Sequence, residues 1–346
     1  MRAVRLLLMI FVCTSAAQAQ RWSVQTSGAD TNLRGVSAAY ARDADGVVAA
    51  VATVWASGSN GVVLQSKNSG KTWKHLHVQG GVTMDFRSIQ AFDANTAYVM
   101  SSGEGALSRI YKTSDGGENW KLQYTGKTPA LFLDALVCIS EKECYAISDP
   151  IDGKFLLLAT RDGERWKELP GDKMPAALPA EGAFAASGTC LMIREKGEIY
   201  FATGGPAARV FHSSDSGRTW TVAETPIASG NASSGIFSIT LEGSVLIVVG
   251  GDYKDANRSD RTAAYSLDQG TTWTLATQPP GGFRSAVASL EGGTLAVVGP
   301  NGEDISNDHG IHWTRTDSLD LNALVVLDSR NAWAVGPKGT IARWIH

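Results

Sequence analysis

Three arginines occupy one repeated setting, Leu33-Arg34-Gly35, Phe86-Arg87-Ser88 and Phe283-Arg284-Ser285. A guanidinium can grip a carboxylate through two parallel N–H donors. Brought together, Arg34, Arg87 and Arg284 would form a cationic ring for an acidic ligand; the other role open to each is to tie down its preceding turn by donating to carbonyl groups. A second set is acidic: Asp134 in Phe132-Leu-Asp134-Ala, Asp149 in Ser148-Asp-Pro, Glu181 in Glu181-Gly-Ala-Phe and Asp252 in Gly250-Gly-Asp252-Tyr253, with Asp85 and Asp152 nearby. Two such carboxyl groups roughly 5 to 10 Å apart across a pocket can act as acid and base on a glycosidic bond. Capped turns and Arg–Asp pairs use the same residue types.

Either chemistry needs distant segments in one place, and a repeat supplies the means. Ser213-Ser-Asp215-Ser-Gly217-Arg-Thr219-Trp220 recurs as Ser66 to Trp73, Thr113 to Trp120, Ser266 to Trp273 and Ser306 to Trp313, and one residue shorter as Thr160 to Trp166. The hydroxyl and Asp oxygens suit the N–H groups of a tight turn, Gly supplies a positive φ, and Trp offers a broad face to the neighbouring repeat. Between the boxes lie short β-rich runs and Gly turns, without a long segment of 3.6-residue period. The expected architecture is therefore all-β, a seven-bladed β-propeller with four-stranded antiparallel blades. Its last blade has three strands, ending in Gly339-Thr-Ile-Ala-Arg-Trp344, and the N-terminal Trp22-Ser-Val-Gln25 is expected to complete it, removing two exposed edges.

In such a blade the box joins strands three and four on one face. The Arg and acidic positions then fall on the opposite face, walled by the long loops Pro170 to Ala183 and Gly250 to Ala263. Trp55, Tyr253 and Trp333 are candidate stacking surfaces, with core packing the plainer role for the two Trp.

Residues 1–19 read as a secretory signal, with Arg2 and Arg5, an apolar Leu6 to Val12 and cleavage near Ala19. The apolar run is too short for a membrane span, so a secreted or periplasmic, monomeric chain with no transmembrane segment is expected after cleavage. A formal charge of −3 without a basic block gives nucleic acid little to bind. Of the cysteines remaining after cleavage, Cys138 and Cys144 flank a hairpin-like turn and are favoured as a disulfide, leaving Cys190 as a buried filler. No phosphate-binding Gly turn, CxxC motif or His ligand spacing appears, so no cofactor and no metal are expected.

The boxes, with inner strands such as Leu33-Arg34-Gly-Val-Ser and Phe86-Arg87-Ser-Ile, resemble the Asp-box (bacterial neuraminidase repeat) propellers. Within that group the chain is similar to bacterial relatives of the photosystem II stability and assembly factor, from about residue 20 to 346. That resemblance implies a binding or assembly-factor-like protein whose Arg-bearing channel face holds a protein partner. The same architecture also serves sialidases and other glycoside hydrolases, so the alternative is a carbohydrate-active enzyme drawing an acid pair from Asp134, Asp149, Glu181 and Asp252. Sialidase chemistry itself is disfavoured, because Phe86-Arg87-Ser-Ile lacks that family's Arg-Ile-Pro entry.

Overall fold

The computed structural model describes residues 21–42, 48–194, 197–290 and 292–345. The leader expected over residues 1–19 lies outside them. Seven antiparallel sheets follow one another along the chain, six of four strands and one of five, with the strands in sequence order in all but the last. Blade 1 shows the plan: Leu33–Arg42, Val48–Gly58, Val63–Ser66 and Lys74–Leu76. Blade 5 gains a two-residue strand, Gly204–Gly205, beside its inner strand Asn231–Glu242.

Blade 7 consists of Ala323–Asp328, Asn331–Val335 and Ile341–Ile345, and the N-terminal strand Arg21–Gln25 is its fourth. Trp22 pairs with Trp344 and Val24 with Ala342. The two Trp rings meet edge to face at 5.1 Å, and the Trp22 indole N–H donates to Glu303 Oε1 of blade 6 at 2.8 Å. One strand thus joins the chain ends and also grips the preceding blade.

The boxed turns repeat one hydrogen-bond pattern. Ser213 Oγ accepts the Gly217 N–H at 2.9 Å and donates to Asp215 Oδ1, which accepts the Thr219 N–H at 2.8 Å. Gly217 has φ 84°, a backbone that a side chain would strain. The hydroxyls of Thr113, Ser266 and Ser306 accept the glycine N–H in the same way, and Ser66 does so beside Asn68 in place of Asp. In the short copy Thr160 Oγ1 reaches Gly163, three residues on instead of four. Because Ser213 is buried, Ser213→Ala should lower stability by about 1–2 kcal/mol, and Ser213→Thr, as in the Thr113 copy, should restore most of it. Chemical denaturation of the two variants measures this.

The core lies between blades. Trp55 and Trp333 are fully buried in separate inter-blade clusters, which removes them as stacking surfaces. Cys138 and Cys144 are direct cross-strand partners in a blade 3 hairpin, and their sulfurs are joined; Cys190 is a buried free thiol.

Candidate functional site

The site is built from one backbone device used four times. Where the inner strand pairs with its neighbour, the register skips a residue between Leu33 and Gly35, Phe86 and Ser88, Leu133 and Ala135, and Ile236 and Ser238. A bulge of this kind re-aims one side chain while its neighbours keep their faces. The skipped residues are Arg34, Arg87, Asp134 and Phe237, and all four line a single cavity of about 1130 Å³. On blades 6 and 7 the corresponding positions are Ser285 and Asn322, whose N–H groups donate to Val298 and Val335 carbonyls. Both line the same cavity. Residues 177–186 form one wall of it, broadly the loop the sequence placed there.

Arg34 and Arg87 converge. Arg34 Nη2 donates to the Ala185 carbonyl at 3.2 Å and Arg87 Nη1 to the same oxygen at 3.0 Å. Arg87 Nε also meets Asp85 Oδ2 at 2.7 Å. Among the described residues Arg34 makes no ion pair and its Nε has no partner. Burial first, and the neighbouring Arg87 second, lower the Arg34 guanidinium to about 10, against a weaker opposing pull from Asp85. Arg34 is a cation short of an anion.

Arg284 does not join them. It is fully buried, donates to Asp304 Oδ2 through Nε at 2.8 Å and through Nη2, and reaches the Phe283 carbonyl and Asn301 Oδ1 through Nη1. The cause is register. Arg284 matches Leu33, Phe86, Leu133, Ile236 and Leu321, all buried in their blades, while Ser285 matches Arg34. A shift of one residue sends a strand side chain to the other face.

The acids divide similarly. Glu181 lines the cavity but is committed: Arg209 grips both its oxygens, Nε at 2.8 Å, while Thr203 Oγ1 and the Leu178 N–H also donate to it. Asp252 is absent from the lining and takes hydrogen bonds from Asn231 Nδ2 and the Lys254 N–H. Asp134 and Asp149 do meet, on neighbouring strands of one hairpin beside the Leu133–Ser148 pair. Asp149 Oδ1 accepts the Ala183 N–H at 2.9 Å. Asp134 is 1% exposed, and its Oδ2 has no partner among the described residues.

Burial, then the proximity of Asp149, hold the Asp134 carboxyl well above its ordinary range, and burial raises Asp149 to about 6. The folded state therefore keeps protons that the unfolded chain loses from about pH 4 upward. Their contribution to stability is present below that pH and is lost as pH rises through the folded values. Relative to the wild type, Asp134→Asn/Asp149→Asn should gain stability between pH 4 and 7. Thermal midpoints measured across that range should diverge in this direction.

The opposite wall is aromatic. Phe184 stacks on Phe237 at 3.9 Å, with Phe283 edge-on at 4.6 Å and Tyr253 at 6.1 Å. Tyr253 remains 48% exposed. The sequence reading missed Phe184 and Phe237. The available signal for Phe237 was its setting, Gly235-Ile-Phe237-Ser238, which has the apolar-x-small form of Phe86-Arg87-Ser88.

The model of the DUF6242 beta propeller domain matches residues 22–290. This chain belongs to that family. The matched stretch carries all four bulge residues of the DUF6242 propeller, Phe184 and Phe283 included, and stops short of Asn322. No curated protein sequence matches the chain. Among solved structures, the propeller is similar to "YCF48 bound to D1 peptide", with a TM-score of 0.65, 13% identity, and coverage of 94% of this chain and 97% of that one. It is similar also to "YCF48 from Cyanidioschyzon merolae", at 0.64 and 14%, covering 94% and 98%. A computationally designed protein, Ika8, matches at 0.56 and 11%, covering 94% and 100%. At these identities the likeness is one of fold, and it agrees with the resemblance to the photosystem II assembly factor read from the sequence.

Proposed function

We propose that this DUF6242 propeller is a binding or assembly-factor-like protein that holds a segment of a protein partner in the channel mouth. The observation that carries the reading is the pair of bulge-borne guanidiniums, Arg34 and Arg87, meeting at one carbonyl beside a large cavity, with Arg34 lacking an anion. A partly buried cation without a counterion favours a ligand that brings one. The aromatic wall of Phe184, Phe237 and Tyr253 offers an apolar side chain a surface next to it. A propeller of the same fold, YCF48, has been solved with a D1 peptide, which supports a peptide as the class of ligand.

The carbohydrate-active alternative draws less support. Glu181 and Asp252 are taken by their own partners, and Asp134 and Asp149 stand side by side on one hairpin, whereas glycosidase carboxyls flank the scissile bond. The leader pattern and the Cys138–Cys144 bridge support a secreted or periplasmic location.

Selection from a displayed random-peptide library tests the reading. Clones enriched on the wild type should carry acidic residues or a free C-terminal carboxylate and should fail to bind Arg34→Ala/Arg87→Ala. Equal binding of the enriched clones to both proteins would remove the mouth from the account.

A further inference from the structure

We infer that the hairpin of blade 3 carries a second subsite in the mouth, formed by Asp134 and Asp149, which receives an ammonium group of the ligand. The inference rests on the mouth being the binding face and adds to it the charge of the neighbouring ligand group. Asp134 is placed by a bulge that turns it out of the blade core toward the cavity, and its Oδ2 is buried without a hydrogen-bond donor among the described residues. The next strand breaks register as well, between Ser148 and Pro150, and Asp149 is the residue skipped. Two consecutive strands thus depart from regular pairing at the two positions that bring carboxyl groups to one wall.

Asp134 lacks the donors that hold the other buried acids, among them Glu303, which takes the Trp22 indole N–H and the Thr316 hydroxyl. Glu181 has Arg209 and Asp304 has Arg284, each pair closed by further hydrogen bonds. Among the described residues the Asp149 carboxylate accepts the Ala183 N–H and has no cation, and Gly182 makes that approach possible, since a Cβ there would stand 2.7 Å from Asp149 Oδ1. The nearby basic group, Arg87, is occupied by Asp85 and the Ala185 carbonyl. An unsatisfied buried acceptor beside a second carboxyl calls for a group that brings donors and positive charge together. An organic ammonium supplies donors and positive charge in one group and is the class of ligand proposed here. An ammonium has three donors and no acceptor, and a ligand carboxylate would be repelled at this position. The mouth is then dipolar, with the anion seat on blades 1 and 2 and the cation seat on blade 3.

The test uses the full chain and three small probes in NMR titrations. N-acetyl-lysinamide presents a side-chain ammonium, norleucinamide a free α-ammonium, and N-acetyl-norleucinamide has the same carbon chain without charge. At least one charged probe should bind, shifting cavity resonances such as those of Phe132 and Ala183, with an affinity at least tenfold above the neutral probe. The two charged probes separate a lysine side chain from a chain N-terminus as the source. Asp134→Asn/Asp149→Asn should weaken the charged probe at least tenfold while its thermal midpoint at pH 7 does not fall; should the double variant not fold, Asp149→Asn alone is measured on the same criterion. Arg34→Ala should leave ammonium binding intact, so failure of the arginine seat and failure of the acidic seat read separately. Charged and neutral probes binding equally, no binding of either charged probe, or unchanged affinity in the Asn variant each overturns the subsite.

Discussion

Asp304→Ala should cost about 3–5 kcal/mol of folding stability, because it strands the Arg284 guanidinium inside blade 6. Arg284 is 0% exposed, and its remaining partners would be the Phe283 carbonyl and Asn301 Oδ1, neither of which carries charge. The partner replacement separates this cause from a simple loss of packing. Blades 1, 3 and 7 hold leucine at the matching position, each fully buried. Arg284→Leu/Asp304→Asn removes the charge from both sides and keeps an oxygen for the Gly281 N–H that Asp304 Oδ1 accepts at 3.1 Å. It should therefore recover most or all of the loss, since apolar replacement of a buried pair is often neutral or better. Denaturant unfolding of the three proteins measures both effects. A single variant near wild-type stability would mean that Arg284 finds water when its partner goes.

Arg34→Ala/Arg87→Ala should weaken an acidic peptide selected on the wild-type mouth by roughly 100-fold or more, taking about 1.5–3 kcal/mol for each charged hydrogen bond and 1.4 kcal/mol per tenfold in affinity. The two residues are unequal. Arg87 already has Asp85, so part of its charge is spent, and its removal exposes that carboxylate to the ligand. Arg34 has only the Ala185 carbonyl, so Arg34→Ala alone should account for the larger share. Removing Arg34 also relieves an uncompensated, partly buried cation, which keeps the fold from losing stability in step with binding. Isothermal titration calorimetry with circular dichroism on the same samples reads affinity and fold together.

The parts of this molecule that were legible in the sequence are those fixed by local chemistry. A box turn needs its hydroxyl, its Asp and its Gly within a few residues, so each of the six copies marks a strand junction, and the unboxed end at Trp344 adds the seventh blade. The closing strand followed from the three-stranded last blade and the likeness of Trp22-Ser-Val-Gln25 to text after a boxed Trp. Arg34 and Arg87 were found because they share a motif and a register. Arg284 shares the motif but stands one residue earlier relative to its strand, and nothing in Phe283-Arg284-Ser285 marks that offset without the pairing of Ser285 to Val298. The Glu181–Arg209 pair is closed by tertiary contact between the mouth loop and the third strand of blade 4, which spacing does not encode. Asp134 and Asp149 could be listed from sequence, but their meeting depends on two bulges in one hairpin.

The central claim is that ligands enter the face opposite the boxed turns. Tyr253 and Leu267 are both exposed, at 48% and 73%, the first on the cavity and the second within a box turn. A photo-crosslinking residue placed at either position leaves the core untouched. With a selected acidic peptide, crosslinking should occur at position 253 and be lost on adding Arg34→Ala/Arg87→Ala, while position 267 stays unlabelled. Labelling at position 267 with none at 253 would contradict the account and move the binding face to the boxes.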